Sequence, residues 1–313
     1  MSKHIPVIRV QADNGFLVAR DGLILCFFMR RSHAEVAPAV WRALQTYLRA
    51  IPPQTLQWYV ASEGGLLPLD DESWKHIHGE MLERPCRCTR SVMLQEERDG
   101  TGGYNFDYYG RRLDAPPFAR DENSTCAVSF TLPTEYLVEH GPDRVRTLAL
   151  ELARELPFSF GYASLALISP NGEWIAARPT VLKLRDRYPG LDFYDLELTS
   201  RVIGTRARGT YWLTFLGQPL LGQLGGTASL RQQLAFPDVS LETLPSPEGE
   251  RVLVTLDEWP EAIDTAEQER PSPQLLALAR LLEPFLYPQD VIDWFHQHED
   301  MEDMRRWIRR FCR

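Results

Sequence analysis

Hydrophobic positions in this chain fall into short blocks whose spacing alternates between that of strands and that of helices. FLVAR (16–20) and GLILCFFM (22–29) flank Asp21-Gly22, and two β-prone runs around an Asp-Gly predict a hairpin whose second strand is buried on both faces. Val36, Val40, Leu44, Tyr47 and Leu48 then recur at helical spacing; Pro38 fits such a helix only in its first turn, and Ile51-Pro52-Pro53 ends it. TLQWYVA (55–61) reads as a strand and residues 71–84 as a helix. SVMLQEE (91–97) pairs with GYNFDYYG (103–110) across Asp99-Gly100 as a second hairpin.

The polar, proline-containing stretch LDAPPFARDENS (113–124) breaks this pattern. It is the expected boundary between an N-terminal α+β subdomain, residues 1–118, and a C-terminal α+β subdomain with terminal helices, residues 119–313. After it, Cys126, Val128, Phe130 and Leu132 alternate with Ala127, Ser129 and Thr131 as in a half-buried strand. Pro142 opens an amphipathic helix carrying Val145, Leu148, Ala149, Leu152 and Leu156. FSFGYASLALIS (158–169) and GTYWLTFLG (209–217) read as strands, 179–188 as a helix, and 219–235 as one or two helices broken at Gly225-Gly226. Two short strands flank PSPEGE (245–250), a leucine-rich helix begins near Pro273, and Val291, Trp294, Phe295, Met304, Trp307, Ile308 and Phe311 mark terminal helices. Hairpins mixed with helices, without a regular βαβ alternation, predict an α+β fold of mainly antiparallel sheets flanked by helices.

Composition narrows the function. The 313 residues are 44% hydrophobic, ample for a large core, and the net charge of −9 argues against a nucleic-acid binder while favouring a basic protein partner. The opening MSKHIPVIRV lacks the apolar stretch of a secretory signal, and the longest uncharged apolar run, residues 23–29, is too short to span a bilayer. These features predict a cytoplasmic protein with no membrane segment. Five scattered cysteines, an odd number, predict reduced thiols rather than a disulfide scaffold.

Candidate chemistry is sparse. His76-x-His78 and Cys86-x-Cys88 carry zinc-ligand residue types, but two positions apart on a helix the imidazoles diverge by about 200°. Neither a metal nor a cofactor is expected. The sequence has no GxSxG, HExxH or P-loop, and the pairs Asp192/Asp195 and Asp257/Glu258 read as solvated surface charge, so no catalytic residue is assigned. Acids before the terminal arginines 305, 306, 309, 310 and 313 complement a helix dipole. The leucines at 275, 276, 278, 281, 282 and 286 leave their helix almost no polar face, which buries it between layers or makes it half of a homodimer interface. An unrecognised hydrolase and a homodimeric adaptor are the alternative readings to a protein-binding module.

One run of residues says more: Tyr188-Pro189-Gly190-Leu191-Asp192, then Ile203-Gly204, then residues 209–217 with Trp212-Leu213-Thr214, then Leu224-Gly225-Gly226. This order resembles the type VI secretion immunity family (TsiV-like proteins, and within them TsiT-like partners of nuclease effectors), well over residues 120–290 and more loosely before. The pattern departs from the family at residues 256–261, where a glycine- and aspartate-containing segment is expected. The resemblance implies a cytoplasmic protein that binds and neutralises a toxin encoded next to it, such as a nuclease effector. For the partner-binding residues the sequence offers the stretch from 257 to 269. It holds six carboxylates and no base, among them Asp257, Glu258, Glu261, Asp264 and Glu267, with Trp259 as an aromatic anchor, and is expected to be solvent-exposed.

Overall fold

A computed structural model describes residues 5–61, 64–288 and 298–312. The strands are β1 (Arg9–Gln11), β2 (Leu17–Met29), β3 (Trp58–Val60), β4 (Leu66–Pro68), β5 (Thr89–Gln95), β6 (Asn105–Arg111), β7 (Cys126–Pro133), β8 (Phe160–Ile168), β9 (Leu213–Leu216), β10 (Ser240–Leu244) and β11 (Arg251–Thr255). All of them join one antiparallel sheet in the order β10-β11-β9-β8-β2-β7-β6-β5-β3-β4, with β1 added beside β2. The helices are α1 (His33–Ala50), α2 (Asp71–His78), α3 (Thr134–His140), α4 (Pro142–Glu155), α5 (Arg178–Arg187), α6 (Leu196–Val202), α7 (Leu220–Gln223), α8 (Gly226–Gln233), α9 (Pro273–Leu282) and α10 (His298–Ile308). The fold is α+β, as the mixture of hairpins and helices predicts.

Side chains alternate across a strand, so β2 feeds two cores. Leu23, Leu25, Phe27 and Met29 enter one with α1, α3 and α4; Ile24, Cys26 and Phe28 enter the other with α6 to α9 and the end of α10. Because β2 lies between β7 and β8, strands from both sides of residues 113–124 share the sheet.

The hairpin expected at Asp21-Gly22 does not form: both residues sit inside the single strand β2. Asp21 is a buried acceptor, taking the Ile8 amide at 2.6 Å and also bonded by Arg9 and Thr134. Gly22 is where the neighbours close in, since a Cβ there would lie 2.0 Å from Ile168 Cδ1 and 2.7 Å from the Leu132 carbonyl oxygen.

Two further expectations change. α1 starts at His33, behind a Ser32/Glu35 capping box, and therefore carries Pro38 in its second turn rather than its first. An interior proline costs about 3 kcal/mol; complete burial of Val36, Val40, Leu44 and Tyr47, at roughly 1.5–3 kcal/mol each, outweighs it. β7 is buried on both faces, not one, because α6 packs over the side that carries Ala127 and Ser129.

The leucine-rich helix α9 buries Leu275, Leu278 and Leu282 in the second core, leaving Leu276 and Leu281 half-buried. Gly225, at φ 85°, breaks α7 from α8 at the expected position. Val291, Trp294 and Phe295 lie outside the described residues, whereas Trp307, Ile308 and Phe311 pack into the second core. Among the described residues no helix is long and apolar enough to cross a membrane.

Candidate binding surface

Tyr188-Pro189-Gly190-Leu191-Asp192 leaves α5 and joins the sheet beside β8. The Asp192 amide donates to the Leu165 carbonyl (2.8 Å) and the Leu167 amide to the Asp192 carbonyl (2.9 Å). Its carboxylate is wholly buried, accepting from the Tyr162 hydroxyl at 2.7 Å and ion-paired with Arg208, which also bonds the Phe193 carbonyl at 2.9 Å. Tyr162 and Tyr211 stack beside the pair with ring centroids 3.9 Å apart. Asp192 is thus an interior group and not solvated surface charge: apolar neighbours exclude water from it, and Arg208 supplies the counter-charge.

The acidic segment is laid directly on this motif. The Gly190 amide donates to the Ala262 carbonyl at 2.9 Å, and a Cβ on Gly190 would lie 2.0 Å from the Glu261 carbonyl oxygen, so only glycine permits this approach. Trp212 Nε1 donates to the Asp257 carbonyl at 2.9 Å. At the far end Arg187 grips the Asp264 carboxylate with two nitrogens, Nε at 2.9 Å and Nη2 at 2.7 Å, and Thr265 Oγ1 reaches the Arg187 carbonyl at 3.0 Å. Arg187, helped by the Ala266 amide, holds the Asp264 carboxyl down to about 2. Residues 257–264 therefore form a strap fixed at both ends and in the middle.

The strap sorts the residues singled out in the sequence. Glu258 and Glu267 are exposed; Asp257, Trp259 and Glu261 are half-buried. Asp264, expected at the surface, is only 5% exposed because its carboxylate serves Arg187 and caps the following turn. Trp259 packs on the first core. With Asp257, Glu261, Tyr211 and Trp212 it lines a cavity of ≈ 20 Å³, with space for about one water molecule.

Asp257 and Glu258 also face an open hollow of ≈ 300 Å³, which Asp143, in the first turn of α4, and Asp238, before β10, share. Arg146 lines the same hollow and gives its charge to Glu242 at 2.8 Å. Asp143 and Asp238 escape sequence reasoning because they lie more than fifteen residues from the acidic run, and only the packing of α4 and β10 gathers them.

The acids with raised pKa lie elsewhere. Burial lifts Asp107 on β6 to about 7, with the charge of Asp195 adding, and burial lifts Asp195 to about 6 although the Leu198 amide caps it at 2.8 Å. Neither lines the hollow. Burial lowers His33 to about 4, and its ring nitrogens contact the Tyr108 hydroxyl and the Met81 carbonyl. His78 packs edge-on against Trp41 at 5.0 Å, and among the described residues no group of three His, Cys, Asp or Glu side chains could hold a metal ion.

The architecture is that of an α+β protein built on one antiparallel sheet, with the acidic strap laid on the loop beside β8. Residues 39–311 match the TsiV family, type VI immunity for VRR-NUC, and the chain belongs to that family of type VI immunity proteins. The match reaches further toward the N-terminus than the motif region around residues 120–290. Among solved structures, a Pseudomonas aeruginosa T6SS protein superposes with a TM-score of 0.77 at 22% identity, covering 97% of this chain and 87% of that one; this is a likeness of fold. No curated protein matches.

Proposed function

We propose that this chain binds a VRR-NUC nuclease toxin in the cytoplasm of the cell that makes both, and neutralises it by contact rather than by catalysis. Membership of an immunity family for VRR-NUC supports the partner class. The observation that carries the contact is the acidic hollow, where Asp143, Asp238, Asp257 and Glu258 share one opening. A nuclease is basic where it meets nucleic acid, and a carboxylate surface attracts that same region. The strap adds pre-organisation: a backbone tied to Gly190, Trp212 and Arg187 is already ordered where it carries the exposed Glu258, so binding need not fix that stretch of main chain. In this reading Trp259 and Asp264 support the surface from beneath.

Titration of the purified chain with its cognate VRR-NUC domain tests the reading. One-to-one binding, with an association rate that falls as salt is added, is expected. Absence of binding at about 10 μM toxin would remove it.

A further inference from the structure

The strap covers a cavity of ≈ 20 Å³, walled by Asp257, Trp259 and Glu261 from the strap itself and by Ser164 on β8, Thr210, and Ser272 ahead of α9 from the body of the protein. Thr210 precedes the step at which Tyr211 joins the second core and Trp212 the first. It is 6% exposed, and its hydroxyl has no hydrogen-bond partner among the described residues. Two strap carbonyls already have donors, Asp257 taking the Trp212 indole N–H and Ala262 the Gly190 amide, each at 2.9 Å. A hydroxyl that gives up water on burial and gains no partner is costly, which is why buried polar groups are almost always bonded.

The size of the cavity and the chemistry of its wall point to the same occupant. A water molecule needs roughly 10–15 Å³ and two to four polar partners. The volume admits one, and Thr210, Ser164, Ser272 and the strap residues offer the partners. A void lined only by apolar groups would stay dry, and this one is not. A calcium-type cation would need about six oxygens or more, whereas Trp212, Leu256, Leu275 and Phe311 take up much of the wall.

We propose that one ordered water molecule occupies this cavity, bonded to Thr210 Oγ1 and bridging it to the strap, and that Thr210 is thereby a positioning residue for the strap. Water suits the place because it donates and accepts at once: it can complete the threonine hydroxyl and a strap oxygen together, and such a bridge is nearly as good as a direct hydrogen bond. Asp257 lines the acidic hollow as well as the cavity, so the bridge steadies one wall of that opening from within. The water site stands whether or not toxin binds there.

Crystals of the full-length chain and of its Thr210→Val and Thr210→Ser variants test the site, together with NMR hydrogen exchange at the Gly190 amide and the Trp212 indole N–H, two of the donors that hold the strap. Wild type is expected to show one water about 2.8 Å from Thr210 Oγ1 and within hydrogen-bond reach of a strap oxygen. Valine keeps the shape of threonine without its hydroxyl, so Thr210→Val should lose the water and exchange both protons at least about tenfold faster. Serine keeps the hydroxyl; Thr210→Ser should retain the water and exchange within about twofold of wild type. A wild-type cavity without a water bonded to Thr210, a peak that gains anomalous signal when rubidium replaces sodium, or equal exchange in all three chains overturns the proposal. Equal loosening of both variants also overturns it, since Thr210 would then act by packing alone. Should Thr210→Val not fold, the wild-type density decides.

Discussion

Arg208 and Asp192 form an ion pair closed off from solvent, with 4% and 0% of their side chains exposed. The pair joins the loop after α5 to the Tyr162 and Tyr211 rings, and the strap rests on the same loop through Gly190. Removing one partner strands the other charge in the interior. Arg208→Ala is expected to cost about 3–5 kcal/mol in urea unfolding. A cost below about 1 kcal/mol would mean that water reaches Asp192.

Trp212 lies in the first core and bonds the Asp257 carbonyl. Trp212→Ala should destabilise the chain by about 3–5 kcal/mol and accelerate exchange of the strap amides. A variant that melts like wild type yet fails to bind toxin would make Trp212 an interface residue.

The pH dependence of stability contains two opposed contributions. Asp107 is raised from 3.8 to about 7 in the folded chain, so its contribution falls as pH rises from about 4 to about 7. Asp264 is lowered from 3.8 to about 2; its contribution is present above about pH 4 and is lost as pH falls toward 2. Asp107→Asn should therefore be more stable than wild type at pH 7 and lose that advantage below pH 4. Parallel urea titrations across this range check the sign, and an advantage that persists at pH 3 would assign the gain to another cause.

Elements encoded by neighbouring residues were legible in the sequence. Asp99-Gly100 between β5 and β6, Pro142 at the start of α4 and Gly225 between α7 and α8 act through local backbone preference, and each sits where its chemistry predicts. Features set by distant chain were not. Asp21-Gly22 has turn composition, yet Ile8, Thr134 and Ile168 make it the middle of a strand. Asp192 and Asp264 have the composition of surface acids, and only Arg208 and Arg187, 16 and 77 residues away, draw them inward. The motif around Gly190 pointed to the family while concealing its physical task, which is to seat the strap.

Charge reversal addresses the acidic hollow. Asp143, Asp238 and Glu258 are exposed, so their replacement by lysine should leave melting nearly unchanged. The triple variant should associate with toxin at least about tenfold more slowly at low salt, with the difference shrinking as salt is added and dissociation little affected. Equal association rates for variant and wild type would remove the hollow from the encounter surface.

Neutralisation itself is measured by DNA cleavage with the purified cognate VRR-NUC toxin while the wild-type chain is titrated in. Cleavage is expected to fall linearly with added chain and to stop at one equivalent, with no change in the chain itself. Cleavage that continues unabated in the presence of excess folded chain would contradict it.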